Sequence, residues 1–380
     1  MRIFHVISGL GEGGAEAVLY RLCTASPERA NDVVVSLTTD DAYGDRFREA
    51  GITVHTLRLP RGPGAVAGVA KLGRLIREAR PDLVQTWLYH GDLIGGITAR
   101  LAGIRHVVWG LHNSTIDPTT TRWSTRQVVW GCARVAPFVP TRIISCSRGA
   151  AAVHVAMGYP QDKITVVPNG YDVAAFRPDA TARSAFRREI GVVDDEPLIG
   201  MVARYDPQKD PDNLLNALAV LASQGVQFHS VLVGQNMTAR NGRLMAALKD
   251  RRLDKRVSVL GSRNDIPAVM AAIDVGVLSS AYGEAFPNVL AEAMACGTPV
   301  VTTDVGDAGL IVEDTGWIVP PRDSAALANA LGEALAGRVD AQAWAVRQAA
   351  SRTRIVENFA LNRMIIGYQG VWRQVLEQAS

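Results

Sequence analysis

The 380-residue chain has little cysteine and no long apolar run. The few cysteines are scattered and contain no C-x-x-C pair, so neither a disulfide framework nor a zinc site of paired cysteines is expected. No stretch approaches the roughly 20 apolar residues that a membrane-spanning helix needs. The first strand-like run begins after two residues, which predicts that no signal peptide precedes the fold. These absences favour a cytoplasmic protein with reduced thiols at Cys23, Cys132, Cys146 and Cys296.

Composition and periodicity indicate an α/β protein of two domains. Hydrophobic residues make up 48% of the chain and charged residues 20%, which is typical of a soluble globular protein. At this length, two domains of about 150–200 residues are favoured. Short β-rich runs alternate with helical patterns, which predicts parallel sheets with crossover helices. Strands are predicted at 2–7, 33–37, 52–57, 82–86, 105–111, 141–145, 164–167, 198–203, 227–233, 256–260, 274–278 and 298–302.

The alternation of strands and helices is interrupted between Pro168 and Pro197, a segment rich in turn formers and charge. This interruption predicts an N-terminal domain of residues 1–172 and a C-terminal domain of residues 173–360. The last segment, 361–380, contains an amphipathic helix that is expected to pack back on the first domain. Its predicted apolar stripe consists of Ile365, Tyr368, Trp372 and Leu376.

The formal net charge of +3 hides an asymmetry along the chain. Residues 46–148 carry 15 lysines and arginines against 5 acidic residues. This excess is either an ordinary solvated face or a basic half that approaches anionic lipid headgroups or a phosphorylated substrate. Nucleic acid is not expected as a partner, because the arginines form no stripe and have no aromatic platform among them.

The loop from Gly9 to Gly14 spells G-x-G-x-x-G directly after an apolar run. Asp40 follows a second apolar run, so the pattern has the form of a dinucleotide fingerprint. It would suit a nicotinamide-dependent oxidoreductase. However, glycines allow the backbone to approach any phosphate, so the pattern alone does not identify the ligand.

The segment Ser279–Val301 carries the strongest pattern in the chain. Glu284 and Glu292 stand eight positions apart, and Pro287 between them favours a helix start. Glu284 is therefore expected in a loop, and Glu292 on the helix that follows. The free amides at such a helix start would bind an anion, with a carboxylate on each side for hydroxyl recognition. The alternative is a pair of surface glutamates on an ordinary helix.

Upstream, Arg204 ends a predicted strand and Lys209 precedes the next helix. Two cations at such a place would clamp a diphosphate, although a lone pair of this kind could also be solvated surface. The segment Asp210-Pro211-Asp212 has the spelling of a metal-binding D-x-D, but proline after aspartate indicates a helix-capping turn. No metal site is predicted.

These residues resemble a known family. The run E-x-F-P-x-x-x-x-E from Glu284, the following A-M-A-C-G-T-P-V-V and the upstream R-x-x-x-x-K resemble the retaining family 4 glycosyltransferases of GT-B fold. G-G-A-E at 13–16, P-N-G-Y-D at 168–172 and the turn G-W-I-V-P-P at 316–321 add to the resemblance. The chain departs from the family pattern at Ala285, where glycine is usual, and at Tyr171, where valine or isoleucine is common. The resemblance implies two Rossmann-like domains facing across a cleft.

The resemblance also implies roles for individual residues. Arg204 and Lys209 would bind the donor diphosphate, Glu292 the ribose hydroxyls, and Glu284 would lie near the donor sugar. His112, which follows a predicted strand, matches the family's donor-sugar histidine, although on sequence alone it could be a capping or core residue. Glu284, His112, Arg204 and Lys209 would then be the catalytic group. The remaining donor-binding residues would be Gly14, Arg263, Phe286, Pro287, Asn288 and Val289.

The expected activity is transfer of a hexosyl or N-acetylhexosaminyl unit from a nucleoside-diphosphate sugar, UDP-linked rather than GDP-linked, to an acceptor hydroxyl with retention. The acceptor would be a saccharide or a lipid-linked saccharide in cell-surface polysaccharide or glycolipid assembly. It would be bound by loops such as 88–92 and 113–126. No cofactor or metal is expected. A peripheral contact with the inner face of an anionic cell membrane is expected. Alternatives are a sugar-nucleotide epimerase or hydrolase, a non-catalytic lectin-like relative, and the oxidoreductase.

Overall fold

The computed structural model describes residues 1–11, 13–25, 31–60, 64–113, 123–193 and 195–377. The chain divides into two compact units. The first unit consists of Met1–Gly170 together with Leu361–Ser380, and the second consists of Tyr171–Ala360. The chain therefore enters the second unit two residues earlier than the predicted boundary at 172/173.

The first unit is built on a seven-stranded parallel sheet with the order β3-β2-β1-β4-β5-β6-β7. All residues of the central strands β1, β4 and β5 are buried, as expected when helices cover both faces of a parallel sheet. The strands are β1 (Ile3–Ile7), β2 (Val33–Ser36), β3 (Thr53–Thr56), β4 (Leu83–Trp87), β5 (Val107–Leu111), β6 (Arg142–Ser145) and β7 (Ile164–Val166). The helices are α1 (Gly14–Ala25), α2 (Asp41–Glu49), α3 (Ala65–Ala79), α4 (Leu88–His90), α5 (Gly96–Leu101), α6 (Trp123–Val135) and α7 (Arg148–Ala156), with a π-helical segment (Gly91–Gly95) between α4 and α5.

The second unit repeats this design with a six-stranded parallel sheet of order β10-β9-β8-β11-β12-β13. Its strands are β8 (Leu198–Val202), β9 (His229–Val233), β10 (Val257–Gly261), β11 (Val275–Leu278), β12 (Val300–Thr303) and β13 (Trp317–Val319). Its helices are α8 (Ala180–Glu189), α9 (Pro211–Ser223), α10 (Gly242–Asp250), α11 (Ile266–Ala272), α12 (Asn288–Ala295), α13 (Ala308–Val312), α14 (Ser324–Gly337) and α15 (Ala341–Asn358).

The last helix, α16 (Leu361–Glu377), returns to the core of the first unit, as the amphipathic pattern predicted. Trp372 donates a hydrogen bond from Nε1 to Oε1 of Gln85 on β4, at 2.9 Å. Of the predicted stripe, Tyr368 and Trp372 are buried, whereas Ile365 and Leu376 lie at its margin. The fully buried face is Met364, Tyr368, Val371, Trp372 and Val375.

All twelve predicted strands are present, with ends within two residues of the predicted ones. Two elements of the second unit were not predicted. The turn at 316–321 contains the short edge strand β13, which pairs in parallel with β12. The turn-rich stretch before Pro197 contains α8, whose start is capped by Asp179 through a 2.8 Å bond from Ala182 N. Three residues are too few to display an alternating pattern, and the charge of α8 concealed its one buried aromatic, Phe186.

The strand orders locate one switch point in each unit. Successive strands run outward from β1 to β3, and the chain then crosses to β4 on the other side of β1. The second unit does the same between β8 and β11. In open parallel sheets, ligands bind beyond the carboxyl ends of the strands at such points. Within the described ranges, no helix is both long and apolar enough to cross a bilayer.

Candidate active site

Three of the predicted site residues of the second unit lie at its switch point, whereas Arg263 follows the edge strand β10. Arg204 and Lys209 follow β8, and Glu284 follows β11, the neighbouring strand. The two loops are joined directly, because Ala281 N donates to Gln208 O at 2.9 Å. Residues that are some 75 positions apart in sequence therefore share one edge of the sheet.

Lys209 and Glu284 form a largely buried ion pair through Nζ and Oε1. Their side chains are only 15% and 8% exposed, so water screens their attraction weakly. Ser280 Oγ donates a second hydrogen bond to the same carboxylate oxygen, at 2.6 Å. The ion pair thus holds both side chains in a fixed orientation. The sequence analysis predicted a role for each residue but not this contact between them.

Hydroxyl side chains at the ends of β11 and β12 support this ion pair. Ser279 Oγ lies 2.9 Å from the carbonyl oxygens of both Lys209 and Asp210. Thr303 Oγ1 donates to Ser280 O at 2.6 Å. Sequence reasoning missed these residues, although two serines directly after a buried apolar strand are a usable signal. Asp210 caps α9, with its side chain accepting from Asn213 N, as the capping interpretation predicted.

Arg204 has a different environment from Lys209. Its side chain is 47% exposed. It donates to Gln208 Oε1 at 2.8 Å and to Asp206 Oδ2 at 3.3 Å, both within its own loop. Lys209 is therefore bound by a second loop, whereas Arg204 faces solvent and is restrained locally.

The helix start after Glu284 has the predicted form. Pro287 is the N-cap of α12, and Glu292 lies half-buried in the second turn of that helix. Asn288, the first residue of α12, accepts a 2.6 Å hydrogen bond at Oδ1 from the hydroxyl of Tyr171. The Tyr171 ring is fully buried and stacks on Phe286, with centroids 6.4 Å apart. The departure from the family pattern at Tyr171 therefore supplies a contact that positions Asn288.

The loop after β12 lies against the backbone of Glu284. Gly306 has φ +63°, and a Cβ atom there would stand 2.0 Å from Glu284 O. Asp307 N donates to Ala285 O at 3.1 Å. Only glycine permits this approach, so Gly306 contributes to the shape of the site without a side chain.

Arg263, predicted to be a donor-binding residue, is bound by two carboxylates of the same unit. It donates to both oxygens of Glu189, at 2.6 and 3.1 Å, and to both oxygens of Asp265, at 2.7 Å each. These partners raise the pKa of the Arg263 guanidinium further above its ordinary value. Its guanidinium also lies over the ring of Phe186. A contact between Arg263 and a nucleotide stays a prediction.

In the first unit, Gly14 is the exposed first residue of α1. The carboxylate of Glu16 folds back over Gly13, and burial raises the pKa of Glu16. Asp40, the acid of the apparent dinucleotide fingerprint, forms an ion pair with Arg48, whose hydrogen bond lowers the pKa of Asp40. A phosphate contact at Gly14 stays a prediction.

His112 directly follows β5, and its ring stacks on that of Trp87 with centroids 5.0 Å apart. Burial lowers the pKa of His112 to about 4, so the imidazole is neutral at neutral pH. Its Nε2 atom is buried and has no hydrogen-bond partner among the described residues. A contact between this atom and a donor sugar stays a prediction.

The predicted acceptor loops are only partly described. Leu88–His90 forms α4 at the end of β4. Most of the loop 113–126 lies outside the described residues, because 114–122 are not described. Both acceptor assignments stay predictions.

One group in the described ranges has the composition of a metal site, and it lies in the core of the first unit. One potential ligand atom from each of His5, Cys23 and Asp32 lies within 4.8 Å of the other two. However, Trp87 Nε1 donates to His5 Nδ1 at 3.2 Å, and burial lowers the pKa of His5 to about 3. A neutral imidazole that accepts at Nδ1 carries its proton on Nε2, which leaves no lone pair for a metal. This group therefore does not fit a metal.

The sequence is similar to known glycosyltransferases over both units. The profile described as "Glycosyltransferase Family 4" matches residues 12–175, and "Glycosyl transferases group 1" matches residues 196–337. The UDP-Gal:alpha-D-GlcNAc-diphosphoundecaprenol alpha-1,3-galactosyltransferase of Escherichia coli is 30% identical over 268 residues, 68% of each chain. The putative glycosyltransferase EpsF of Bacillus subtilis is 28% identical over 311 residues, 80% of this chain and 79% of that protein.

A solved structure supports the same fold. The crystal structure of Anabaena Alr3699/HepE in complex with UDP matches with a TM-score of 0.86 at 24% identity. The match covers 98% of this chain and 100% of that one. At 24% identity, this likeness shows the fold alone.

Proposed function

Because the chain belongs to the family 4 glycosyltransferases of GT-B fold, we propose that it transfers a sugar from a UDP-sugar to an acceptor hydroxyl with retention at the anomeric carbon. The observation that carries this proposal is the Lys209–Glu284 ion pair at the switch point of the second unit. It presents a cation for a leaving diphosphate beside a carboxylate for sugar hydroxyls.

The role of Lys209 follows from its hydrogen-bonding capacity. An ammonium group has three donors, and the contact with Glu284 uses one of them. Lys209 can therefore bond a phosphate oxygen while remaining paired. As the anomeric bond breaks, negative charge grows on the diphosphate, and a nearby fixed cation stabilises it more strongly than in the ground state. Arg204, which is exposed and only locally restrained, would add a second cation.

Glu284 would orient the donor sugar. Its Oε1 atom receives hydrogen bonds from Lys209 and Ser280, so the carboxylate is fixed before any substrate arrives. A preorganised acceptor costs little to align when the transition state forms. Glu292, half-buried on α12, would accept from the ribose hydroxyls.

The name of the Escherichia coli relative supports the choice of substrates. It states a UDP-sugar donor and a diphosphoundecaprenol-linked acceptor. We therefore propose a lipid-linked saccharide as the acceptor, and a hexosyl or N-acetylhexosaminyl unit as the transferred group. Retention and independence of metal ions rest on the family resemblance.

The test is a transfer assay on the purified chain with a panel of UDP- and GDP-linked sugars and a polyprenyl-diphosphate-linked sugar. We expect release of UDP that depends on the acceptor, an α-linked product from an α-linked donor by NMR, and turnover that persists in a chelator. Glu284→Gln should lose most of this turnover, whereas the matched change at an exposed helix position, Glu333→Gln, should retain it.

Other outcomes would contradict this function. UDP release at the same rate without acceptor would indicate a hydrolase. Conversion of one sugar nucleotide into another without transfer would indicate an epimerase.

A further inference from the structure

Large aromatic side chains are exposed together with arginines on one side of the first unit. Trp123, Trp130 and Phe138 are 72%, 57% and 79% exposed. Arg126 and Arg134 are exposed between them in sequence. We refer to these five residues as the aromatic-basic surface. Single exposed apolar residues are common on proteins, but a group of large aromatics is not.

The periodicity of α6 places four of these residues on one face. Positions 123, 126, 130 and 134 are separated by three or four residues, the spacing at which helix side chains share a side. Cys132, opposite this face, and Val129, at its margin, are buried in the unit. The exposed face of α6 is therefore distinct from its packing face. Phe138 follows in the turn after the helix.

The segment that contains α6 and Phe138 carries charge of a single sign. Residues 123–148 contain four arginines and no aspartate or glutamate. The Arg134 guanidinium lies 4.3 Å from the centroid of the Trp130 ring, a cation–π contact that keeps charge and ring together. Next to Phe138, Lys163 donates from Nζ to the carbonyl oxygens of Pro137 and Pro140, at 2.7 and 2.9 Å.

We propose that the aromatic-basic surface seats the first unit on an anionic lipid bilayer. Tryptophan rings prefer the depth of the headgroups, and arginines beside them attract anionic lipids. A second copy of this chain fits less well, because its surface would bring arginines against arginines. The proposal does not depend on the sugar chemistry of the second unit.

The test is flotation of the full chain with vesicles of phosphatidylglycerol and phosphatidylcholine in equal parts, compared with phosphatidylcholine alone. We expect binding to the anionic vesicles and its loss at high ionic strength. Arg126→Glu combined with Arg134→Glu should lower the partition coefficient by about tenfold or more, since each basic residue near such a surface contributes measurably. Trp123→Ser combined with Trp130→Ser should lower it at the low ionic strength where the wild type binds, without changing the steepness of its salt dependence.

The matched control is Lys249→Glu combined with Lys255→Glu, which makes the same charge change at exposed positions of the second unit. It should retain more binding than the arginine pair. Circular dichroism and thermal unfolding establish that each variant is folded. Equal losses in the two charge-reversed proteins would overturn the assignment to α6, as would absence of binding to anionic vesicles. Dimerisation that the tryptophan pair abolishes, without vesicle binding, would assign the surface to a second copy and refute the proposal.

Discussion

The two units are both parallel sheets with a switch point, but their polar side chains are held differently. In the second unit, Lys209 and Glu284 come from two loops and pair directly with each other. In the first unit, His112 stands at a strand end, stacked on Trp87. Its Nε2 atom has no partner in the described part of the chain.

Under the proposed function, this difference would suit a division of work between the units. The second unit carries a preorganised charge pair, which suits the diphosphate that every nucleotide sugar shares. The first unit presents the neutral imidazole of His112, which would suit a contact with the donor sugar. Variants in the second unit should therefore affect chemistry and nucleotide binding most strongly.

The largest effect, on turnover, is expected when the cationic side chains of the second unit's candidate site are removed. Lys209→Ala should lower kcat by about a hundredfold or more, because a charge-stabilising donor is lost where charge develops. Arg204→Ala should act in the same direction, and the double variant should lose less than the product of the two, since both serve one leaving group. Steady-state kinetics with a UDP-sugar measure all three.

Removal of Lys209 also leaves Glu284 buried without its cation, so stability must be separated from chemistry. The variant combining Lys209→Ala with Glu284→Gln should recover melting temperature without recovering turnover. Full turnover in Lys209→Ala alone would contradict the assigned role. Lys255→Ala, at an exposed position, is the control for loss of a lysine.

A smaller effect, on nucleotide binding, is expected for a substitution in α12, the helix that follows Glu284. Glu292→Ala should weaken binding of free UDP by about 1.5–3 kcal/mol, the range for hydrogen bonds to a charged group. Calorimetric titration measures this loss. His112→Ala should leave the affinity for UDP unchanged while lowering turnover, because its expected partner is the sugar. Equal effects of the two variants on UDP affinity would remove the distinction between the units.

The smallest effect concerns Asp92, which is buried in the π-helical segment after α4. Its Oδ1 accepts from Thr86 Oγ1 at 2.5 Å, and burial raises its pKa to about 8. The folded pKa lies above the unfolded one, so the stability contribution is complete below pH 4 and is lost as the pH rises toward 8. Between pH 6 and 7, the free energy of unfolding of the wild type should fall by about 1.4 kcal/mol per pH unit relative to that of Asp92→Asn. Chemical denaturation at the two pH values measures this difference. If the stabilities of the two proteins depended on pH in the same way, a raised pKa of Asp92 would be contradicted.

Much of the fold could be predicted from sequence, because both sheets have strands buried on both faces and these appear as continuous apolar runs. The short edge strand β13 could not, since Trp317–Val319 is too brief to show a pattern and its pairing with β12 is a long-range contact. The crossing to the second unit was placed within two residues because turn formers accumulate there.

The candidate site was predictable in composition but not in contacts. Spacing singled out Glu284 and Glu292, and position at a predicted strand end and helix start singled out Arg204 and Lys209. It could not indicate that Lys209 pairs with Glu284, because that contact depends on the adjacency of β8 and β11 in the sheet. The hydrogen bond from Tyr171 to Asn288 joins residues 117 positions apart and has no local signal at all.

The position of α16 has a consequence for how the protein is made. Residues of this helix complete the same hydrophobic core as Ile3 and Ile7, yet the ribosome synthesises them after the whole second unit. Domains fold as units and generally in order of synthesis. Here the contiguous second unit can complete its core first. Until α16 is synthesised, the first 170 residues keep part of their apolar surface exposed. The half that is translated first is thus the half whose core is finished last.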